Sequence, residues 1–259
     1  MPVISSNNAA DAALNYLNRN SSQESEQISQ LASGSRIIRA SDDAAGLAIG
    51  TQLQANAGQF QQDQVNLQQG TSIIQTADGG MAQVGNILER MLALATEAAS
   101  GQVTDIQRSQ DIDTEYQQLR SEILSIAGST SYANRSAFTD SLAFVVGTQS
   151  TATITISLAT VNIIGNGSGA SLIGSLGASV ATASAALTAI AGANKALAVE
   201  GAFRAVYGAY ESRFNFANQV VASDIQNISA AASVIEDADV AAVKTQLSAT
   251  SVMTQAGVA

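Results

Sequence analysis

Two parts of the chain carry apolar residues at every seventh position, one set starting at Leu53 and the other at Tyr207. A sustained repeat of seven predicts a long helix that supercoils against partners. We therefore expect one helix from Asp42 to about Ser100 and another through the C-terminal region, although an ordinary intramolecular bundle would explain the same stripes. The positions are Leu53, Phe60, Leu67, Ile74, Met81, Leu88 and Ala95 in the first set, and Tyr207, Phe214, Val221, Ile228, Ile235, Ala242 and Ala249 in the second.

Two shorter helices are predicted at residues 104–127 and 9–32. The first places Ile112, Tyr116 and Ile123 on one face, at helical spacing. The N-terminal helix has few aliphatic anchors, so we expect it to need a partner for stability.

The middle of the chain has a different pattern. Residues 152–158 alternate between aliphatic and hydroxylated side chains, which is typical of a half-buried strand. Together with an opposing strand at 143–146 and a loop at 147–151, they predict a β-hairpin. A glycine-rich segment at 165–177 predicts an irregular surface segment. No charged residue occurs from 141 to 194, but polar residues and glycines interrupt every apolar run, so no membrane insertion is expected.

Composition excludes several classes of function. The 259 residues include no cysteine and no histidine, which excludes a disulfide framework, a zinc finger and His-based acid–base catalysis. A net charge of −10 argues against a nucleic-acid-binding protein. A single proline, Pro2, and a high alanine content favour long, closely packed helices.

Two acidic clusters are the candidates for chemistry, and either could form a hydrolase pair or a calcium site. Asp42 and Asp43 follow Ser41 at the start of the predicted helix, where carboxylates accept hydrogen bonds from free N–H groups, so we expect them to cap it. The second cluster, at 236–239, lies within or at a bend of the C-terminal helix and is expected to be a solvated or inter-subunit face. No catalytic constellation is visible, so we expect no enzyme activity and no cofactor or metal.

The sequence SGSRIIRASDDAAGLAI at 33–49 resembles the N-terminal signature of bacterial flagellin. The similarity continues at 70–79 and 88–97, in the predicted hairpin and at 208–214, and it ends with IEDAD at 235–239. The related hook–filament junction protein typically has a proline after the Asp pair, where this chain has Ala44.

The resemblance implies a mainly α fold: a long, coiled-coil-like helical bundle formed by the N- and C-terminal regions, with a small β-hairpin in the middle. Residues 1–41 with 235–259 would form the terminal helices of an inner filament core. Residues 42–140 with 178–234 would form the long bundle, and 141–177 the hairpin and a short variable surface segment. Flagellins usually continue about five helical turns further, which implies either that the C-terminus is truncated or processed, or that the sequence records only part of the product.

The resemblance also implies the function of a structural subunit, secreted and extracellular, that self-assembles into the flagellar filament for swimming motility. Its partners would be other copies of the chain, a flagellar export chaperone and the hook-associated cap and junction proteins. The hook–filament junction protein itself is the alternative within the structural class. A secreted helical enzyme or adhesin with flagellin-like ends would need a larger insert than the uncharged segment at 162–188.

Two sets of site residues follow from the packing pattern and the resemblance. The first is expected to carry packing and assembly, although local capping also explains its Asp pair. The second lies in the segment that the innate Toll-like flagellin receptor reads, where Leu92, Ala93 and Glu97 replace the usual polar or charged residues and predict weak recognition. The first set is Arg36, Asp42, Asp43, Leu53, Phe60, Leu67, Ile74, Leu88, Phe214, Val221, Ile228, Ile235 and Asp237, and the second is Leu88, Arg90, Leu94 and Glu97.

Overall fold

The computed structural model describes residues 8–138, 141–148, 152–157 and 172–258. These residues are mainly helical and include a small antiparallel strand region in the middle of the chain, so the predicted fold class is confirmed. The helices are α1 (Asn8–Ser33), α2 (Ala44–Ala99), α3 (Asp105–Gln107), a π-helical turn (Arg108–Ile112), α4 (Asp113–Ser129), α5 (Leu172–Ser175), α6 (Ala183–Glu236) and α7 (Val240–Val258). The strands are β1 (Ser131–Tyr132), β2 (Arg135–Ser136), β3 (Ser141–Val145) and β4 (Thr153–Ser157).

The described residues fall into two compact units. Those up to Gln59, together with those from Ser223 onward, form the terminal unit, and Phe60–Ala222 form the central unit. The predicted assignment of the terminal, bundle and hairpin regions to parts of a filament stays a prediction.

The seven-residue stripe of α2 supplies the core of the central unit. Its members from Phe60 to Ala95 are buried, and so is a second register three residues further on that includes Ala77, Val84 and Met91. Tyr207, Phe214 and Val221 supply buried side chains from α6, and Tyr116 and Ile123 from α4. The heptad prediction for this part of both long helices is therefore confirmed.

Helices α2 and α6 run antiparallel in the central unit: residues later in α2 contact residues earlier in α6. Gly70 lies against Phe214, whereas Asp78 meets Arg204. The absence of a side chain at Gly70 lets the Phe214 ring approach, since a Cβ there would lie 2.7 Å from Cε1 of that ring. Phe144 of β3 meets the same ring edge-on, with the centroids 5.3 Å apart.

The predicted hairpin is present as the antiparallel pair β3–β4, with Phe144 opposite Ile154. Ile154 and Ile156 are buried, as the alternation predicts. Its end is held by Asp63 of α2, whose buried carboxylate accepts a hydrogen bond from the Gly147 N–H at 2.8 Å. This bond explains why a polar residue interrupts the second apolar register of α2. Three predicted parts of this region lie outside the described residues: Leu158 of the strand, residues 149–151 of the loop and residues 165–171 of the glycine-rich segment.

The predicted helix at 104–127 is present but interrupted. Thr104 starts it with a capping box that includes Gln107, and a π-helical turn follows before α4 begins. Arg108, in that turn, is buried and donates to the carbonyl groups of Ala98 at 2.6 Å and Val103 at 3.0 Å. Its positive charge therefore complements the C-terminal end of α2.

The terminal unit has much less buried apolar surface. Helix α1 packs against α7, as its need for a partner predicts. Within the described residues 8–33 of α1 none is fully buried. The buried apolar side chains of the whole unit are few among the described residues: Ile37, Ala232 and Val243.

The prediction that the second heptad stripe continues to Ala242 and Ala249 is wrong. Residues 237–239 separate α6 from α7, and beyond this break Val243 and Thr250 are buried instead, one position later. A non-helical segment does not advance the chain by 100° per residue, so it resets which side chains face inward.

We expect Gly70→Ala to destabilise the central unit by about 1–3 kcal/mol, because the new methyl group would overlap the Phe214 ring. Gly79→Ala in the same helix is the matched control, since a Cβ there meets nothing within 4 Å. Alanine should there stabilise the helix by about 0.5–1 kcal/mol. Urea unfolding followed by circular dichroism measures both changes. Shifts of the same sign for the two variants would contradict this account of the Gly70–Phe214 contact.

Candidate assembly site

Two connecting segments of the terminal unit pair with each other: residues 34–43, between α1 and α2, and residues 235–239, at the end of α6. Together they form what we call the terminal junction. The Arg36 N–H donates to the Glu236 carbonyl at 2.6 Å, and the Ala238 N–H donates to the Gly34 carbonyl at 2.9 Å. Ser35 and Asp237 form an isolated antiparallel bridge between these bonds. The chain can leave α1 in this direction because Gly34 has a φ of +71°, which glycine adopts readily.

The Arg36 side chain caps the end of α6. Its Nε and Nη2 donate to the Ile235 carbonyl at 3.1 and 2.7 Å. A guanidinium at this position complements the partial negative charge of a helix C-terminus. The Arg36–Asp43 ion pair, at 3.9 Å between half-exposed groups, adds little by comparison.

The two aspartates have different roles. Asp43 caps α2 as predicted, because its Oδ1 accepts the Gly46 N–H at 2.8 Å. Asp42 does not cap the helix, so that half of the prediction is wrong. Its Oδ2 instead accepts the N–H groups of Arg39 at 2.8 Å and Ile38 at 3.2 Å, and so closes the turn before α2.

The hydrogen bonds from Arg39 and, to a lesser extent, Ile38 lower the pKa of Asp42, because they stabilise the carboxylate form. Opposing desolvation does not cancel their effect. Asp42 therefore holds the turn in its ionised state.

The acidic cluster at 236–239 lies at a break between two helices, α6 and α7, rather than within one C-terminal helix. The Gln54 amide donates to the Glu236 carboxylate, and the Ser233 hydroxyl donates to Asp237. Asp239 caps α7 by accepting the Ala241 and Ala242 N–H groups at 3.0 and 3.1 Å. These carboxylates thus bind donors of their own chain, while Asp237 and Asp239 also face solvent.

The other predicted site residues are half-buried, buried or exposed. Among the packing residues, Leu53, Ile228 and Ile235 of the terminal unit are half-buried, whereas the apolar packing residues of the central unit are buried. In the receptor segment, Leu88 and Leu94 are buried. Arg90 and Glu97 are exposed, and Arg90 pairs with Glu115 of α4 at 2.7 Å.

Exposed apolar side chains on the terminal helices are the feature that the sequence patterns missed, because those patterns identify buried stripes. They lie on α1, on α7 and at the end of α6. The set is Leu14, Tyr16 and Ile28 on α1, Val234 on α6, and Val240, Val252, Met253 and Val258 on α7. No helix in the described part of the chain is long and apolar enough to span a bilayer.

We expect the stability difference between wild type and Asp42→Asn to depend on pH. A pKa lowered on folding means that the carboxylate stabilises the fold above the pKa of the unfolded chain, and that this contribution is lost as the pH falls through the folded pKa. The variant should therefore melt at a lower temperature than wild type at pH 7, and the two curves should converge in strong acid. Thermal melts from pH 7 to 2.5 test this, with Asp11→Asn as the control for loss of one charge in the same unit. A constant gap at all pH values would contradict the role of the charged form.

Comparison with known proteins agrees with this architecture. Models of the bacterial flagellin N-terminal and C-terminal helical regions match residues 4–143 and 187–259. The flagellar filament 30.7 kDa core protein of Treponema maltophilum is 31% identical over 99% of this chain and 94% of its own length. A flagellin of Halalkalibacterium halodurans is 32% identical over 98% of this chain and 92% of its own. The crystal structure of Bacillus cereus flagellin superposes with a TM-score of 0.52 at 27% identity, covering 65% of this chain and 94% of that one.

Nothing in these similarities favours the hook–filament junction alternative. Flagellin is a structural protein that self-assembles into a homopolymer, the bacterial flagellar filament, outside the cell. The chain belongs to the bacterial flagellin family and is a structural subunit of the flagellar filament.

Proposed function

We propose that α1 and α7 form the inner core of the filament by packing against the same helices of neighbouring subunits. The observation that carries this proposal is the low burial of the terminal unit, whose helices leave aliphatic side chains such as Leu14, Val240 and Val252 exposed. Exposed apolar side chains grouped on paired helices are typical of an interaction surface. A short amphipathic helix also gains most of its stability from packing rather than from propensity.

A homopolymer supplies the missing contacts in every subunit. A contact between two different patches that does not close a ring repeats without limit and gives a filament. Burying one exposed valine or leucine contributes about 1.5–3 kcal/mol, so a few such residues per subunit are enough to drive elongation.

The terminal junction has a supporting role in this proposal. Arg36 caps the end of α6, Asp43 caps the start of α2, and Asp237 lies in the bridge with Ser35. Arg36 and Asp237 join the break between α6 and α7 to the segment that follows α1, and Asp43 fixes the start of α2. We therefore infer that Arg36, Asp42, Asp43 and Asp237 act on assembly by positioning the terminal helices.

We expect Val252→Asn to raise the critical concentration for filament elongation about tenfold or more, because it removes roughly 1.5 kcal/mol of apolar burial per contact. Val252 is 64% exposed in the subunit, so the substitution should leave the fold unchanged. Elongation of purified subunits onto filament seeds, imaged by electron microscopy, gives the critical concentration. Circular dichroism checks the fold of the monomer.

Leu187→Asn is the matched control, because Leu187 is 62% exposed but lies in the central unit. We expect it to elongate nearly as wild type. Equal loss in both variants would show that the assembly contact is not confined to the terminal helices, and normal elongation of Val252→Asn would contradict the proposed core.

Two kinds of partner rest on the family resemblance alone. We propose that an export chaperone holds the subunit before secretion, and that hook-associated junction and cap proteins contact the two ends of the filament.

We further propose that the innate Toll-like flagellin receptor recognises this chain weakly. Two of the four candidate residues of this segment, Leu88 and Leu94, are buried in the central unit and so are shielded from a receptor. Arg90 is exposed but engaged with Glu115, and the exposed positions Ala93 and Glu97 differ from the residues usual in the segment.

The triple variant Leu92→Arg/Ala93→Glu/Glu97→Gln restores the residue types usual at these positions. We expect it to stimulate reporter cells at a lower concentration than wild type, since it supplies the missing polar side chains at two exposed positions, 93 and 97, and one half-buried position, 92. A wild-type potency equal to that of a strongly stimulating flagellin, or no gain in the variant, would contradict the proposal. Circular dichroism of both monomers checks that the three substitutions leave the helical content unchanged.

A further inference from the structure

The central unit contains a buried acid that its packing does not neutralise. Glu200 lies on α6 facing α2, and its side chain is 11% exposed. The described residues give its carboxylate no hydrogen bond, and the nearest cation is Arg204, whose Nε lies 3.8 Å away. Burial of a carboxyl group in this way disfavours its charged form.

Arg204 cannot neutralise Glu200 fully, because it already has a closer partner. Its Nε donates to Asp78 of α2 at 2.9 Å, and Nη2 reaches the other oxygen of the same carboxylate. Asp78 and Glu89, both on α2, are the other charged groups that act on Glu200. Two carboxylates, those of Asp78 and Glu200, therefore share the Arg204 guanidinium, and the Glu89 carboxylate adds a third negative charge that acts on Glu200.

The space around Glu200 is narrow. A Cβ at Gly85 of α2 would lie 3.1 Å from its Oε1, so the missing side chain at Gly85 makes room for the carboxylate. Further along the same face of α6, the buried Tyr207 hydroxyl has no hydrogen-bond partner among the described residues. The interface thus accepts the volume of Glu200 but offers little to stabilise its charge.

We propose that Glu200 makes the stability of the central unit depend on pH. In mildly acidic medium its carboxyl group takes up a proton, and the packing of α2 on α6 becomes more stable. With Glu200 neutral, Arg204 pairs with Asp78 alone and the interface holds one buried charge fewer. In neutral medium the ionised Glu200 weakens the same interface. This device is independent of how the subunits assemble.

The direction of the effect follows from linkage. Burial raises the pKa of Glu200, Arg204 opposes this, and Asp78 and Glu89 add to it. An acid whose pKa is raised on folding binds its proton more tightly in the folded chain, so folding stability falls as the pH rises from the unfolded pKa through the folded pKa. This is the opposite of the effect at Asp42.

The test uses Glu200→Gln in the full chain, with monomeric state checked by light scattering. We expect the variant to melt about 3 °C higher than wild type at pH 8, and the difference to vanish as the pH falls to 4. Hydrogen exchange gives a local readout. After correction for the intrinsic pH dependence of amide exchange, the exchange rates of peptides at 78–89 and 196–207 should fall on acidification in wild type but not in the variant.

Glu211→Gln is the matched control, because Glu211 also reaches α2 from α6, through a 3.0 Å bond from Gln75. The same pH-dependent gap in this variant would show that net charge rather than Glu200 is responsible. A Glu200→Gln variant less stable than wild type at pH 8, or one whose gap does not change with pH, would overturn the proposal. A carbon-13 titration that places the Glu200 transition no higher than in the urea-unfolded chain would also overturn it.

Discussion

The central unit depends on burial of two apolar registers of α2. Met81 and Leu88 of the seven-residue stripe, and Val84 and Met91 of the second register, have lost essentially all contact with water. Each such side chain contributes about 1.5–3 kcal/mol, so the stripe outweighs any polar contact in this unit. Close packing also fixes what the neighbouring elements can be. Phe214 reaches α2 because Gly70 has no side chain, and Phe144 of the hairpin then packs against the same ring.

The terminal unit is organised by a different principle. With few buried apolar side chains, its connecting segments are joined by backbone hydrogen bonds and by charged caps at helix ends. Such contacts specify geometry but contribute modestly to stability, about 0.5–1.5 kcal/mol each. A part of the molecule built in this way has a defined geometry but few stabilising apolar contacts, which agrees with the proposal that its exposed apolar side chains pack against neighbouring subunits.

The sequence was sufficient for the parts of the structure that repeat. The heptads of α2, the strand alternation around Ile154 and Ile156 and the capping role of Asp43 all follow from local periodicity or local hydrogen bonding. It was not sufficient where the deciding contact is distant in the chain. Asp63 interrupts an apolar register of α2, and local periodicity gives no reason for a polar residue there because its partner, Gly147, lies 84 residues away. The phase change at 237–239 escaped the heptad count for the same reason, since pairing with residues 34–36 helps to hold that break.

The two titrating acids with opposite shifts lie in different units, and this has a consequence for the whole chain. Asp42, in the terminal unit, is favoured as a carboxylate by backbone N–H donors, whereas Glu200, in the central unit, is disfavoured as one by burial. The two shifts change folding stability in opposite directions: on acidification, protonation of Glu200 stabilises the central unit, whereas protonation of Asp42 destabilises the terminal unit. Mild acid acts first on Glu200, whose pKa is raised, and stronger acid is needed to neutralise Asp42, whose pKa is lowered. These groups therefore define an intermediate pH range. In it Glu200 is already neutral and stabilises the central unit, while an ionised Asp42 still holds the turn before α2.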